Sequence, residues 1–321
     1  MADAPKTRPS SKARPSSDAT GPRRCGIIAI IGAPNAGKST LVNALVGAKV
    51  TIISRKVQTT RVQIRGIAME GASQLVLIDT PGIFAPRRRL DKAMVASAWA
   101  GAADADQVLV LVDAAKGIDE DVAQLFERLA GASAKKPILV LNKVDRVEDK
   151  ARLLALVQDL SSRLAFEGVF MIAALTGDGV GELKRFLAGN VPEGEWLYPE
   201  DELSDIPMRQ LAAEVTREKI YDNLHDELPY RITVETDSWK ELRNKSIRVD
   251  QTIYVERDSQ KAIVLGKGGQ TIKRISQASR TELTEIAGQP VHLFLFVKVR
   301  EGWDRDPARY REMGLEFPSD D

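Results

Sequence analysis

From Gly26 to Ile31 the chain is an uninterrupted apolar run, Gly26-Ile27-Ile28-Ala29-Ile30-Ile31, of the kind a strand buried on both faces shows. It leads directly into a glycine-bearing turn and then a stretch in which Leu41, Val42, Leu45 and Val46 are spaced for one buried helical face. Further apolar runs follow at Leu75–Ile78, Val108–Val112, Ile138–Leu141 and Val169–Ile172. Between them, Val122 to Ala130 and Ala151 to Leu164 are long enough for helices. Alternation of this kind predicts a doubly wound α/β domain with a mostly parallel sheet, starting at Cys25 and binding its ligand at the C-terminal ends of the strands.

The pattern changes near Asn190. Val191 to Pro207 carries Pro192, Pro199 and Pro207 among acidic residues and reads as a linker. Leu211 to Leu224 is helical in character, and Tyr230, Ile232 and Val234, then Ile247, Val249, Ile253 and Val255, alternate with polar neighbours. A third strand is expected at Ala262–Leu265, then Gly266-Lys267-Gly268-Gly269, a helix to about Ile286 and a last strand over Val291–Val299. This is a smaller α+β unit, and no internal repeat is evident.

Length agrees with two units, since 321 residues is about twice a usual domain. No apolar stretch approaches the roughly 18 residues of a spanning helix. The single cysteine, Cys25, excludes an internal disulfide or a cysteine metal cluster, and two histidines make zinc chemistry a poor fit. The formal net charge of +1 conceals a distribution. In residues 1–24 Lys6, Arg8, Lys12, Arg14, Arg23 and Arg24 outnumber Asp3 and Asp18, and the Ser/Pro/Ala-rich composition there is that of a disordered leader. The segment from Glu301 onward is acidic. Lys261, Lys267, Lys273, Arg274 and Arg280 meet no acid between the first and the last of them.

Chemistry enters with Gly32-Ala33-Pro34-Asn35-Ala36-Gly37-Lys38-Ser39, a P-loop pattern between a strand and a helix. Backbone N–H groups of such a loop wrap phosphate oxygens, Lys38 reaches the β and γ phosphates, and the Ser39 hydroxyl ligates Mg²⁺. The following Thr40 opens the helix whose N-terminal dipole favours the anion. Asp79-Thr80-Pro81-Gly82 ends a strand, placing a carboxylate near the metal and the Gly82 amide near the γ-phosphate. Asn142-Lys143-Val144-Asp145 ends another, where a carboxylate can accept the two N–H groups that guanine offers and adenine does not. The order of the three motifs favours GTP over ATP.

Together with Ser54-Arg55-Lys56-Val57-Gln58-Thr59-Thr60-Arg61, Ile83 after Gly82, and Ala173-Ala174-Leu175-Thr176-Gly177, these motifs resemble the Era family, a P-loop GTPase joined to a C-terminal type II KH domain. The resemblance covers Cys25 to about Tyr310. It implies a leader over 1–24, a GTPase domain over 25–190, an acidic linker over 191–206 and a KH domain with its tail over 207–321. It also implies that GTP and GDP are the ligands, with Mg²⁺ held by Ser39, Thr60 and Asp79. Thr59 is the weaker claimant to the place of Thr60. By the same resemblance Asn142 and Asp145 read guanine, Lys143 lies along the base, and the Ala173-Ala174-Leu175 backbone borders it, the Ala174 N–H meeting the guanine carbonyl.

Ile83 stands where Ras-like enzymes carry the glutamine that orients the attacking water. Hydrolysis is therefore slow or uses another device. Relatives with the same Pro-Asn-x-Gly-Lys-Ser run use the Asn to hold K⁺, which would give Asn35 a catalytic part beside Lys38, Thr60 and Gly82; a loop-turn role for Asn35 is the alternative. In the second unit, Gly266-Lys267-Gly268-Gly269 fits a G-x-x-G loop that lets a nucleic-acid backbone approach, with Lys261, Lys273 and Arg274 beside it. The family implies 16S rRNA, at its 3′ end, and the 30S ribosomal subunit as partners. It further implies a cytoplasmic monomer with weak peripheral association with the inner membrane. Two other readings stay open at this point: a metabolic NTPase whose C-terminal half binds protein, and a membrane-peripheral signalling GTPase.

Overall fold

The computed structural model describes residues 21–318 apart from 55, 57–59, 62, 85, 87, 133–135, 226–227 and 304–305. Residues 1–20 of the leader and Thr59 lie outside the described residues, whereas the leader's last residue, Arg24, already begins the first strand. In the first domain the strands are β1 (Arg24–Gly32), β2 (Ile64–Glu70), β3 (Ser73–Asp79), β4 (Gln107–Asp113), β5 (Ile138–Asn142) and β6 (Gly168–Ile172). They form one sheet in the order β2-β3-β1-β4-β5-β6, parallel except for β2, which runs antiparallel to β3. The helices are α1 (Lys38–Val46), α2 (Arg89–Asp104), α3 (Glu120–Ala132), α4 (Lys150–Arg163) and α5 (Val180–Asn190).

The apolar runs expected in the first domain all become strands; β1, β3, β4 and β5 are covered on both faces, and β6 is an edge strand with Val169 and Met171 exposed. Ile28 and Ile30 pack toward α1 and α5 in one core layer, whereas Ile31, Val110 and Val112 pack toward α3 and α4 in the other. Two elements had no periodic signal of their own. β2 is a short edge strand interrupted by Gly66, and α2 is alanine-rich, so neither contrasts with its surroundings in hydropathy.

The proline-containing stretch after α5 is fastened to the sheet as well as connecting two domains. Arg24 pairs with Glu193 at 3.0 Å, Gln74 Oε1 accepts from the Leu197 and Tyr198 amides, and Leu203 O accepts from Ile67 N at 2.9 Å along β2.

The second domain contains α6 (Met208–Asn223), β7 (Thr233–Glu241), β8 (Ile247–Val255), α7 (Asp258–Leu265), α8 (Gln270–Ala287), β9 (Val291–Val299) and a short α9 (Pro307–Glu312). Its sheet has the order β7-β8-β9, antiparallel then parallel. The strand expected at Ala262–Leu265 is instead the end of helix α7. Gln260 Oε1 accepts from the Glu256 and Arg257 amides and so caps the helix start, and of the four apolar residues only Val264 is buried. A run of four cannot separate strand from helix by periodicity. Tyr230 lies in a 3₁₀ turn over Leu228–Arg231, and Ile232 follows it before β7 begins.

Helix α6 is buried along almost its whole length, polar residues included, because it lies between the β7-β8-β9 sheet and the first domain. Within it Arg217 pairs with Glu214, and Thr216 Oγ1 donates to Gln251 Oε1 at 2.6 Å. From the first domain, Lys49 pairs with Glu218 of α6 at 2.7 Å and with Glu282 of α8. The C-terminal segment closes the far side of the junction, where Trp303, Tyr310 and Leu315 pack against Leu90, Ala93 and Met94 of α2.

Candidate nucleotide site and nucleic-acid loop

The loop between β1 and α1 is wound tightly around its lysine. Lys38 Nζ donates to Gly32 O at 3.1 Å and to Ala33 O at 3.0 Å. Its side chain is buried, and burial pushes the pKa down to about 8 against the opposing pull of Asp79. Gly37 has φ +102°, and a Cβ there would stand 2.2 Å from Asn142 Nδ2, so backbone and close packing both require glycine. The N-terminus of α1 faces this loop, so the helix dipole and the loop amides favour an anion in the same place.

Asp79, at the end of β3, gathers three hydroxyls. Its Oδ2 accepts from Thr51 Oγ1 at 2.7 Å, Ser39 Oγ at 2.8 Å and Thr60 Oγ1 at 3.3 Å, and the Ser39 and Thr60 oxygens lie 3.1 Å apart. The other carboxylate oxygen, Oδ1, is buried with no hydrogen-bond partner. Burial pushes the Asp79 pKa up, and the hydrogen bonds from Thr51 and Ser39 oppose it. A buried oxygen cluster of this composition, with one carboxylate oxygen unclaimed, fits a hard divalent cation such as Mg²⁺. Thr51 is the member that sequence reading missed, because nothing at Thr51 marks it apart from its fold neighbours.

Thr80 Oγ1 donates to Ile30 O at 2.6 Å and locks the turn after β3. Pro81 is buried in the same turn. A Cβ on Gly82 would lie 3.0 Å from Pro34 Cα, so that glycine lets the turn after β3 pack on the P-loop. Ile83 N donates to Gly32 O at 3.0 Å while its side chain points into the core with Ile31, Ala33 and Ala98. A side chain committed to the core cannot orient a water.

On the base side, Asn142 is a brace. Its Nδ2 donates to Ala36 O at 2.8 Å and its Oδ1 accepts from Ala174 N at 3.0 Å, joining the P-loop to the Ala173–Leu175 segment. Both the Asn142 amide and the Ala174 N–H are thus engaged within the protein, and the exposed Asp145 carboxylate is the group left facing outward for a base. Ala173 N donates to Asp178 O at 3.0 Å, which shapes that segment, and Leu175 is exposed at its tip. Lys143, at φ 63°, donates to Asn35 O and to Asp113 Oδ2, each at 2.6 Å. Asp113 at the end of β4 is a second residue no motif signalled. Asn35 is itself at φ 62° and borders the cavity.

These groups enclose a cavity of about 1130 Å³ that runs from Lys38, Ser39, Thr40 and Thr60 to Asp145 and Leu175. One wall belongs to the second domain: Tyr221 and Asp222 of α6 and the following His225. Arg61, directly after Thr60, leaves the first domain altogether. It is buried, donating from Nη1 to Ile232 O at 2.8 Å and from Nη2 to Tyr230 O at 2.9 Å, with its guanidinium 5.5 Å from the centre of the Trp303 ring.

The Gly266-Lys267-Gly268-Gly269 loop joins α7 to α8, helix to helix. Gly266 has φ 73°, and a Cβ there would meet Thr271 Oγ1 at 2.2 Å. Lys267, Gly268 and Lys273 are exposed on and just beyond the loop, and Lys261 is half-buried before it. Arg274 is exposed too and also borders the cleft between the domains with Lys49 and Glu282.

A P-loop α/β GTPase domain followed by a KH domain is what fold and sites define. Residues 27–143 match the family described as 50S ribosome-binding GTPase, and residues 227–304 match the KH domain family. The GTPase Era of Afipia carboxidovorans is 64% identical over 299 residues, spanning 93% of this chain and 96% of the relative. That of Brucella suis is 60% identical, spanning 92% and 94%. The crystal structure of an Aquifex aeolicus Era variant bound to GDP and AlF₄⁻ superposes with a TM-score of 0.85 at 36% identity, covering 91% of this chain and 99% of the other. A crystal structure of Era in complex with MgGDPNP and nucleotides 1506–1542 of 16S ribosomal RNA superposes equally well. The chain belongs to the Era GTPase family.

Proposed function

We propose that the chain is a GTP-hydrolysing switch that binds 16S rRNA near its 3′ end through the KH loop and acts in assembly of the 30S ribosomal subunit. The observation that carries this reading is the pairing of the Lys38–Asp79–Asp145 cavity with the Gly266–Gly269 loop in one chain, in an arrangement that superposes on an Era structure holding a GTP analogue and that RNA.

In the reaction, Lys38 releases the Gly32 and Ala33 carbonyls and turns its charge to the β and γ phosphates, held also by the loop amides from Asn35 to Thr40. The Ser39 and Thr60 hydroxyls and the Asp79 carboxylate would hold Mg²⁺, which supplies positive charge against that building on the phosphate oxygens. The Gly82 amide orients the γ-phosphate, and Asp145 accepts the guanine N–H pair. With Ile83 in the core, another group must stabilise the transition state, and Asn35 holding K⁺ beside the phosphates is the proposed device. Loss of the γ-phosphate releases Thr60 from the site and with it the segment that leads to the second domain.

GTP turnover and binding of a 3′-terminal 16S rRNA fragment, measured on one preparation, test the reading. The expected result is that each ligand tightens the other by the same factor. Affinities that ignore one another would overturn the switch, and turnover without any RNA affinity would leave a GTPase of another purpose.

A further inference from the structure

The KH sheet has two faces, and only one is covered. Leu293, Leu295 and Val297 of β9 and Val249 and Ile253 of β8 point toward the helices. The alternate residues point away, and the parallel register pairs Arg248 with His292, Asp250 with Phe294, Thr252 with Phe296 and Tyr254 with Lys298 on that outer face. Phe294 is 43% and Phe296 is 51% exposed, values far above those of core phenylalanines such as Phe126 at 3%.

The face is not a plain apolar patch. Arg248 places its guanidinium 4.6 Å from the Phe294 ring centre, held there by three contacts to Asp250 at 2.9, 3.1 and 3.3 Å. Arg300 lies 5.9 Å from the Tyr254 ring, and His292 and Lys298 are exposed on the same strand as the two phenylalanines. The acids there are Glu235 and Asp237 on β7 and Asp250 on β8. Asp237 accepts from Thr252 Oγ1, Asp250 carries Arg248 and Ser238, and Arg300 pairs with Asp306, so Lys298 is a cation that brings charge to the face with no such pairing among the described residues. Phe294 and Phe296 are about 6.6 Å apart along the strand, the order of spacing between consecutive nucleotides of an extended single strand. Aromatic rings interleaved with cations suit unstacked bases joined by phosphates. A protein partner would gain more from continuous apolar area than this face offers.

We infer that the outer face of the β7-β8-β9 sheet is a second single-stranded RNA site, in which Phe296 and Phe294 stack bases while Arg248 and Lys298 meet the phosphates. It rests on the reading of the KH loop as RNA-binding, and it extends the footprint, since α7, which carries that loop at its C-terminal end, packs against β9. A strand held at Gly266–Gly269 can continue over the β9 edge onto the face.

The test compares the intact chain with the double variant Phe294→Ala, Phe296→Ala and with Lys298→Glu. Two single-stranded RNAs are used, one of about four nucleotides, enough for a G-x-x-G loop, and one several times longer. The expected result is a loss of roughly 10- to 100-fold for the longer RNA in the double variant, with the short RNA and GTP turnover unchanged. Ultraviolet crosslinks from the longer RNA should fall on Phe294 or Phe296. Unchanged affinity for the longer RNA would overturn the proposal while leaving the loop reading intact, as would a loss seen only in binding to whole 30S subunits. Absence of all RNA binding in the intact chain would remove both.

Discussion

Arg61 Nη1 donates to the Ile232 carbonyl at 2.8 Å, and this bond puts the residue next to Thr60 inside the KH domain. Thr60 is at the Asp79 cluster and Arg61 is in the neighbouring domain, so one peptide unit joins the phosphate end of the nucleotide cavity to the domain that carries the G-x-x-G loop. Among the described residues no carboxylate pairs with the guanidinium; its partners there are backbone carbonyls and the Tyr221 hydroxyl at 3.4 Å.

Arg61→Ala is therefore expected to cut the coupling rather than either activity. A buried acceptor left without its donor costs roughly 1–3 kcal/mol, and Ile232 and Tyr230 would both be left so. Titrating GTP analogue with and without RNA should give a coupling factor that falls toward one, while RNA-free GTP affinity changes by less. A lysine at this position cannot span both carbonyls and should restore little of it. Full coupling in Arg61→Ala would show that the domains communicate by another route.

Lys38 gives a pH signature. Burial holds its pKa at about 8 in the protein without nucleotide, against an ordinary 10.5. Between those values the folded state has lost the proton that the unfolded chain keeps, so the stability of the nucleotide-free protein should rise with pH across that window. GTP phosphates favour the charged amine, so near pH 8 to 9 binding should take up a proton. Calorimetry in buffers of different ionisation enthalpy reads this directly, and Lys38→Met should abolish it.

Asp145→Asn should change which base is bound. An amide cannot accept both guanine N–H groups, and loss of a charge-assisted pair of about 1.5–3 kcal/mol per bond should weaken GTP by roughly 100-fold or more. Xanthosine triphosphate, which presents a carbonyl where guanine has its amine, should bind the variant better than GTP does. If GTP affinity is unchanged, Asp145 does not face the base.

Turnover in potassium should exceed turnover in sodium at equal ionic strength, and Asn35→Ala should remove the difference. Equal rates for the intact chain in both salts would dismiss a cation held at Asn35.

Gly268→Asp places a like charge in the path of a phosphate backbone, at a position with φ 61° and open space around it. RNA binding should fall by at least about tenfold with GTP turnover retained, as a filter-binding assay would read.

What the sequence determined is what is local. A P-loop is a contiguous run whose own backbone makes the site, so Gly32 to Thr40 were legible, as were the strand-end carboxylates Asp79 and Asp145 and the glycine loop at Gly266. Buried central strands were legible because burial on both faces leaves an apolar run in the chain itself. Edge strand β2, alanine-rich α2 and the four-residue run that ends α7 carry no such mark, since their state is set by what packs on them. The tertiary structure alone decided that Thr51 and Asp113 join the cavity and that Asn142 braces two loops. It also decided that Arg274 borders the domain junction and that Tyr221 and Arg61 cross it. The Arg61–Ile232 contact alone joins residues 171 positions apart, and no pattern within a chain records which distant surfaces will be buried against each other.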